Sequence, residues 1–411
     1  MEQLTCVTRD YAWGSTSLIP RFLGTPADGR PQAELWVGAH PGDPALLPDG
    51  TRLDDHIRDH ADEALGDHAH ETFGPRLPYL MKALAAAEPL SLQVHPTSQR
   101  ARIGFELENQ AGIPVGAAER SYQDCFHKPE MIVAITRFEG MAGFRDVDKT
   151  VRILRLLEHP WADRVAKELE TAPPFQALHT VVSEILDQHG EGLEQLVGEI
   201  AAAATAAEER GHQAFRTSGR MYLDRASVER ESTRLFAQTA SLARKYPSDP
   251  GVLVTLLLNH VVLSPGEAMF LDAGVVHAYS SGFGVEIMAS SDNVVRAGLT
   301  PKHVDVDELL HIANFTPMPA PLWEPTAVST NTLTYRPPVA EFELTIAREP
   351  GDRLPAEGPR TALCLDGEVA VTSARSRHEL RRGETLFVPH ADGPIALEGE
   401  GVVAVASVPV S

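Results

Sequence analysis

The chain has 411 residues, 43% of them hydrophobic, which is enough for two or three packed modules. Its 36 basic and 57 acidic side chains give a formal charge of -21, which disfavours general binding to nucleic acids or to anionic membranes. Its three cysteines, Cys6, Cys125 and Cys364, indicate neither a disulfide framework nor a cysteine-based zinc knuckle. The first residues carry no basic-then-apolar leader, and no apolar run reaches the length of a membrane span. We therefore expect a cytoplasmic protein.

Residues 1–146 contain short apolar runs that are typical of strands. Residues 90–94 and 131–135 are two such runs. A third, at residues 76–84, has Pro78 near its start, where a strand tolerates proline. This region is predicted to be the first part of a β-domain.

Residues 147–250 have a helical texture instead. Ile153, Leu156 and Leu157 lie at helical spacing, and residues 201–207 are almost all alanine, the best helix former. Prolines such as Pro160 indicate breaks between helices. We expect an inserted helical domain of four to six helices.

Strand patterns return in the last part of the chain. Residues 253–258 have the pattern of a buried strand, and residues 268–271 form another strand after a turn. Residues 251–320 are predicted to complete the β-domain that residues 1–146 begin. Residues 321–411 read as short strands separated by glycine, proline and aspartate.

A short internal repeat indicates the architecture. Residues 266–271 (GEAMFL) are echoed by residues 383–388 (GETLFV), a turn-then-strand unit that recurs in jelly-roll barrels such as the cupins. His277 follows the first copy, whereas Pro394 occupies the matching position after the second. The predicted fold is mainly β with an α-helical insertion: two cupin-like jelly-roll barrels plus a helical domain. Only the first barrel, split between residues 1–146 and 251–320, would carry metal ligands, and the second would span residues 321–411.

Four polar side chains are candidate metal ligands. Gln93 and His95 alternate on an otherwise apolar strand and so share one face. Glu130 stands at a strand entrance, and His277 lies just past another strand. Imidazole, carboxylate and amide oxygen suit zinc or another borderline divalent metal. A single histidine in a strand is more often a core residue whose hydrogen bonds are satisfied. The four residues therefore indicate a metal site only as a set.

Several longer motifs resemble the type I phosphomannose isomerase family. They are residues 90–96 (LSLQVHP), 127–131 (HKPEM) and 291–302 (SDNVVRAGLTPK), with YAWG at 11–14 and AELWVGAHP at 33–41. They occur in the family's order and cover the chain from about residue 11 to residue 310. The tail matches the family only in general barrel character.

The resemblance implies a zinc-dependent isomerase that interconverts mannose 6-phosphate and fructose 6-phosphate through a cis-enediol(ate). One zinc ion would be held by Gln93, His95, Glu130 and His277, and Arg296 would be the catalytic arginine. The expected partner is a small sugar phosphate, with no nucleic acid and no membrane, and the expected state is a monomer. The other family pocket positions fall on Lys82, His127, Lys128, Glu286 and Asp292.

The isomerisation needs a base for the C1/C2 proton, which we assign to Lys128 or Glu286, while His127 and Asp292 would assist ring opening. Thr300 and Pro301 are predicted to start a helix whose N–H groups favour an anion. Glu286 and Asp292 could instead form a structural ion pair with Arg296, and Lys302 could be a solvated surface lysine. Phosphate and substrate contacts are predicted for Lys82, Ser91, Arg296, Lys302 and Tyr279.

Two other functions remain open at this point. The chain could be a non-catalytic sugar-binding or regulatory cupin, although a full ligand set beside Arg296 and Lys128 argues against this. It could also be a metal-dependent oxygenase of the same barrel class, a chemistry that prefers a redox metal with open coordination positions.

Overall fold

A computed structural model describes residues 1–218, 223–354 and 357–409 of the chain. The strands, in chain order, are β1 (Glu2–Leu4), β2 (Val7–Arg9), β3 (Glu34–Gly38), β4 (Tyr79–Ala86), β5 (Leu92–Val94), β6 (Glu130–Ala134), β7 (Phe138–Phe144), β8 (Leu258–Leu263), β9 (Ala268–Leu271), β10 (His277–Ala289), β11 (Val295–Gly298), β12 (Leu322–Trp323), β13 (Thr326–Ala327), β14 (Thr332–Tyr335), β15 (Glu343–Arg348), β16 (Arg353–Leu354), β17 (Arg360–Asp366), β18 (Glu368–Thr372), β19 (Arg377–Arg381), β20 (Thr385–Val388), β21 (Ile395–Gly399) and β22 (Val402–Ser407).

The helices are concentrated in the middle of the chain. They are α1 (Leu18–Leu23), α2 (Leu53–Asp59), α3 (Ala61–Phe73), α4 (Ser98–Gln110), α5 (Val147–Arg155), α6 (Pro160–Thr171), α7 (Pro174–Leu186), α8 (Gly190–Ser218), α9 (Leu223–Lys245), α10 (Gly251–Val254) and α11 (Val306–Ile312). Pro160 and Pro174 begin α6 and α7, because the first helical position needs no N–H donor. Among the described helices, none combines the length and apolarity that crossing a membrane requires.

The largest sheet surrounds β10. Within the described residues it has eleven strands, and β10 pairs antiparallel with β4, β5, β6 and β7 along its 13 residues. Every residue of β4 and β6 is buried, so neither face of this part of the sheet meets solvent. A strand that contacts four partners brings side chains from distant parts of the chain to one place.

The C-terminal part of the chain forms two further sheets. The larger has the order β1-β20-β17-β22-β15-β14-β13, and the smaller has the order β16-β21-β18-β19. The N-terminal strand β1 belongs to the larger one through its pairing with β20. The buried Tyr79 hydroxyl on β4 donates to the carbonyl oxygen of Ala406, 3.0 Å away, which fastens this region to the central sheet.

The predicted β-rich chain with a helical insertion is confirmed as antiparallel sheets interrupted by the helical segment α5–α9. Closure into barrels and the domain boundaries stay predictions. The two repeat units form β9 and β20, each after a glycine with positive φ, +89° at Gly266 and +87° at Gly383.

The strand predicted at residues 253–258 is wrong. The chain forms the short helix α10 and then a 3₁₀ turn at Thr255–Leu257, and β8 begins only at Leu258. The side chains of this run are buried on every side, so its apolar pattern is equally compatible with a helix and a strand.

A buried ion pair joins the helical segment to the β-structure. The Arg145 guanidinium, after β7, lies 2.9 Å from Glu231 on α9, and Lys149 on α5 also contacts Glu231. Burial opposes ionisation of Glu231, but Arg145 and Lys149 hold its pKa below the ordinary value of 4.5. The carboxylate therefore stabilises the fold above pH 4.5, and this contribution is lost as the pH falls through the lowered pKa.

Replacing Glu231 by glutamine is expected to reduce the free energy of unfolding by about 3 kcal/mol at pH 7, because it leaves the Arg145 charge buried without a carboxylate. Urea unfolding of the wild type and the variant should show this difference shrinking below pH 4.5. The control Glu170→Gln removes an exposed pair with Arg155 and should cost less than about 1 kcal/mol. A Glu231 effect that does not change with pH would contradict this account.

Candidate metal centre and active site

The proposed ligands lie where β5, β6 and β10 meet. Gln93 on β5 is directly opposite His277, the first residue of β10, and His95 follows β5 by one residue. Glu130 opens β6 and is opposite Met288, near the other end of β10. The pairing of β10 with β5 and β6 therefore brings Gln93 and His95, which belong to one motif, close to Glu130 and His277. The last two residues are more than 100 positions apart in the sequence.

The side chains converge on one point. The His95 Nε2 and His277 Nε2 atoms each lie 3.3 Å from an oxygen of the Glu130 carboxylate. One ligand atom from each of these three buried residues lies within 4.8 Å of the others. The Gln93 amide nitrogen is 3.3 Å from His277 Nε2, and rotating the amide by 180° presents the oxygen that a metal prefers.

A hydrogen bond from the Nδ1 atom of each imidazole orients the ring so that its Nε2 atom faces this point. His95 Nδ1 donates to the Asn293 carbonyl oxygen and His277 Nδ1 donates to that of Val275, each at 2.8 Å. Each ring therefore keeps its Nε2 lone pair for a ligand at the centre. His95 Nε2 and one Glu130 oxygen, although buried, have no hydrogen-bond partner among the described residues. Such orphaned acceptors fit a bound cation.

The charge state of the cluster also suits a divalent metal. Burial lowers the pKa of His95 to about 4, so its ring is neutral at pH 7. Burial would raise the pKa of Glu130, but Lys128 and His95 hold it well below its ordinary value. Neutral imidazole, ionised carboxylate and amide form a donor set that zinc accepts.

A cavity of about 930 Å³ opens above this cluster. Gln93 and Glu130 form part of its wall, whereas His95 and His277 contact Glu130 but do not line the cavity. The other predicted site residues that line it are Lys82, Ser91, Lys128, Tyr279, Glu286, Asp292, Arg296 and Lys302. Tyr279 is fully buried, and burial beside Glu286 holds the pKa of its hydroxyl well above the usual value.

Lys82 has partners that differ from the predicted phosphate. Its ammonium lies 2.8 Å from Glu286 and 3.5 Å from Glu34, and all three groups are buried. Burial would lower the pKa of Lys82, but the two carboxylates hold it above the ordinary value. The predicted alternative of an ion pair between Glu286 and Arg296 is wrong, because Glu286 is paired with Lys82.

Glu34 is a site residue that the sequence reasoning missed, whereas Trp36 was expected to be a packing residue or a pocket wall. The Trp36 indole N–H donates to Glu34 at 2.7 Å, and both residues line the cavity. Their alternation on β3 within the AELWVGAHP motif was the available signal, because alternate residues of a strand share one face.

Two other predicted roles need correction. His127 is not among the residues that line the cavity, and its Nε2 lies 2.7 Å from a carboxylate oxygen of Glu341 in the C-terminal part of the chain. No helix starts at Thr300 and Pro301: the chain bends there, and α11 begins at Val306 with the Asp305 side chain as its cap. Asp292 is exposed beside the cavity, 3.5 Å from His40 Nε2.

Most cations of the cavity wall are neutralised by carboxylates. Each of the following pairs is in contact: Arg9 with Asp43, Lys82 with Glu286, Lys128 with Glu130, and Lys245 with Glu88. Arg296 and Lys302 have no carboxylate partner among the described residues. Burial lowers the pKa of Lys302, and the Arg296 charge lowers it further, so an anion between the two would relieve their repulsion. This end of the cavity is therefore suited to an anionic ligand.

Antiparallel sheets with a buried imidazole–carboxylate–amide cluster beneath a charged cavity define a metal-dependent enzyme of the β class. Residues 1–147 match the family model for the catalytic domain of phosphomannose isomerase type I. The chain is 33% identical to the mannose-6-phosphate isomerase of Shigella flexneri, with 98% of each chain covered. It is 32% identical to that of Homo sapiens, covering 94% of this chain and 92% of the relative. The chain belongs to the type I phosphomannose isomerase family.

Solved structures agree along the whole chain. The zinc-bound holo form of a mannose 6-phosphate isomerase matches with a TM-score of 0.85 and 33% identity, covering 100% of this chain and 99% of that one. The apo form from Salmonella typhimurium gives the same TM-score, identity and coverage. The resemblance predicted from the motifs is thereby confirmed.

Proposed function

We propose that the chain interconverts mannose 6-phosphate and fructose 6-phosphate, with one zinc ion held by Gln93, His95, Glu130 and His277. The observation that carries this proposal is the buried His95–Glu130–His277 cluster next to the cavity. Among the described residues, two buried acceptors of this cluster have no hydrogen-bond partner, and Arg296 and Lys302 in the cavity wall have no carboxylate partner. Zinc-bound relatives of the same family and length support the choice of metal and substrate.

The reaction moves a proton between C1 and C2 of the open-chain sugar through a cis-enediol(ate), so negative charge develops on oxygen. Bound zinc supplies Lewis-acid stabilisation of that charge. Arg296, which stays charged, supplies a second positive group for the enediolate or for the phosphate. Lys302 faces the same end of the cavity and supports phosphate binding there.

The base for the C1/C2 proton is Lys128 or Glu286. Lys128 Nζ lies 2.9 Å from Glu130 and so stands beside the proposed metal. Glu286 is buried, which raises its pKa, while Lys82 opposes the rise. A raised pKa makes the deprotonated carboxylate more basic than an ordinary glutamate. Asp292, next to His40, is the group available for ring opening, since His127 is paired with Glu341.

The first experiment is an assay of fructose 6-phosphate formation from mannose 6-phosphate by the purified protein. Turnover supports the isomerase. Sugar phosphate binding without turnover favours the non-catalytic alternative. Oxygen consumption with bound iron favours the oxygenase.

Arg296→Ala is expected to lower kcat/KM for mannose 6-phosphate by about 10–100-fold, because it removes a charge-assisted contact of ~1.5–3 kcal/mol. Parallel kinetics with unphosphorylated mannose separate the two roles: a phosphate contact affects only the phosphorylated sugar, whereas an enediolate contact affects both. Arg9→Ala is the matched control, because Arg9 also lines the cavity but is paired with Asp43. Equal and small effects of the two variants would contradict the special role of Arg296.

We also propose that the chain acts as a monomer in the cytoplasm. Its three cysteines are all free thiols, in keeping with a reducing compartment. Light scattering of the purified protein tests the oligomeric state.

A further inference from the structure

Asn293 is hydrogen-bonded to His95, one of the proposed metal ligands. It lies between β10 and β11 and is completely buried. Its carbonyl oxygen accepts the Nδ1–H of His95 at 2.8 Å, the bond that leaves His95 Nε2 free. The position of the Asn293 backbone therefore determines where the His95 ring points.

The Asn293 side chain anchors a second segment. Its oxygen accepts the backbone N–H groups of Gln123 and Asp124, at 2.7 and 3.2 Å. Its NH₂ group donates to the carbonyl oxygens of Asp124 and Phe126, both at 2.8 Å. The segment held in this way runs directly into Lys128 and Glu130.

The anchoring is reciprocal. The Asp124 carboxylate accepts the Ser291 hydroxyl and the Asp292 backbone N–H, each at 2.9 Å. Hydrogen bonds from side chains of both segments thus join residues 123–126 to residues 291–293. One segment precedes Glu130, and the other supports His95 and leads to Arg296.

We propose that Asn293 is a positioning residue that fixes His95 and Glu130 relative to each other, and so preorganises the cluster for its metal. This inference rests on the proposed function, because it needs the metal site. A buried asparagine that satisfies four backbone groups cannot be shortened without releasing them, since alanine offers neither donor nor acceptor. Loss of the side chain therefore lets the two ligand-bearing segments move independently.

The test compares Asn293→Ala with Asn259→Ala. Asn259 is also buried, and its NH₂ group donates to the carbonyl oxygens of Ala142, Gly143 and Met318, none of which belongs to a proposed ligand. Zinc dissociation constants of the full-length proteins are measured by competition with a chelator, and thermal unfolding of the metal-free proteins reports structural damage. We expect Asn293→Ala to weaken zinc binding by about 10–100-fold. Asn259→Ala should lower the Tm of the metal-free protein but leave the zinc constant unchanged.

A milder variant covers the case in which Asn293→Ala does not fold. Asn293→Ser adds no charge beside the Asp124 carboxylate and keeps a hydroxyl that can replace one of the lost hydrogen bonds, so zinc binding should weaken to a smaller extent. The inference would be overturned if the Asn293 variants bound zinc as tightly as Asn259→Ala does. A wild type that binds zinc and turns over substrate, with unaffected Asn293 variants, refutes the inference alone. A wild type that does neither refutes the proposed function and the inference with it.

Discussion

His277→Ala is expected to abolish stoichiometric zinc binding and, with it, the isomerase activity. His277 is fully buried, and its Nε2 lies 3.3 Å from both Glu130 and the Gln93 amide. Removing the ring deletes one of four proposed ligands and leaves the Glu130 charge facing an empty space. The loss of zinc affinity should exceed the ~100-fold that marks the upper end for losing an outer hydrogen-bond partner.

The matched control is His260→Ala. His260 is also buried, on β8, and its nearest carboxylate is Glu139 at 3.9 Å, outside the proposed ligand set. Metal analysis after dialysis should give one zinc per chain for the wild type and for His260→Ala, and none for His277→Ala. If His277→Ala kept its zinc and its full turnover, the assignment of His277 as a metal ligand would be wrong.

The second large effect is expected for Glu286→Gln. If Glu286 carries the C1/C2 proton, the variant keeps the shape of the side chain but loses the base, and kcat should fall by about 10²–10⁴-fold with little change in KM. Glu34→Gln is the control, because Glu34 also contacts Lys82 and lines the cavity. Equal losses in both variants would indicate that the Lys82 charge balance matters instead of proton transfer.

The pH profile gives an independent readout of the same assignment. The base acts when deprotonated, so kcat falls as the pH drops through the folded-state pKa. Burial raises the pKa of Glu286 above its ordinary value of 4.5, so the wild-type acid limb should lie at a higher pH than an unperturbed glutamate gives. That limb should disappear in Glu286→Gln. Near-normal turnover of both Glu286→Gln and Lys128→Gln would show that neither residue is the base.

Local patterns predicted the parts of the site that depend on one strand. Alternation placed Gln93 and His95 on one face, and the structure brings both to the cluster. The repeat at residues 266–271 and 383–388 predicted two strands that the structure contains as β9 and β20. These inferences needed only the two-residue period of a strand.

Contacts across long stretches of sequence were beyond such reasoning. Glu286 lies opposite Lys82 only because β10 pairs with β4 in one register, across 204 residues. His127 appeared to belong to the cavity because its motif continues into Glu130, yet Glu341 lies 214 residues further along and binds its ring. Tertiary pairing decides which neighbours a side chain has, and a single sequence contains no direct record of that pairing.

The central claim is that one zinc ion in this cluster is required for isomerisation of mannose 6-phosphate. The most direct test is a titration of the chelator-stripped protein with zinc while fructose 6-phosphate formation is followed. The rate should rise from near zero in proportion to added zinc and reach its plateau at one equivalent per chain. A stripped protein that turns over at the full rate before any zinc is added would contradict the account.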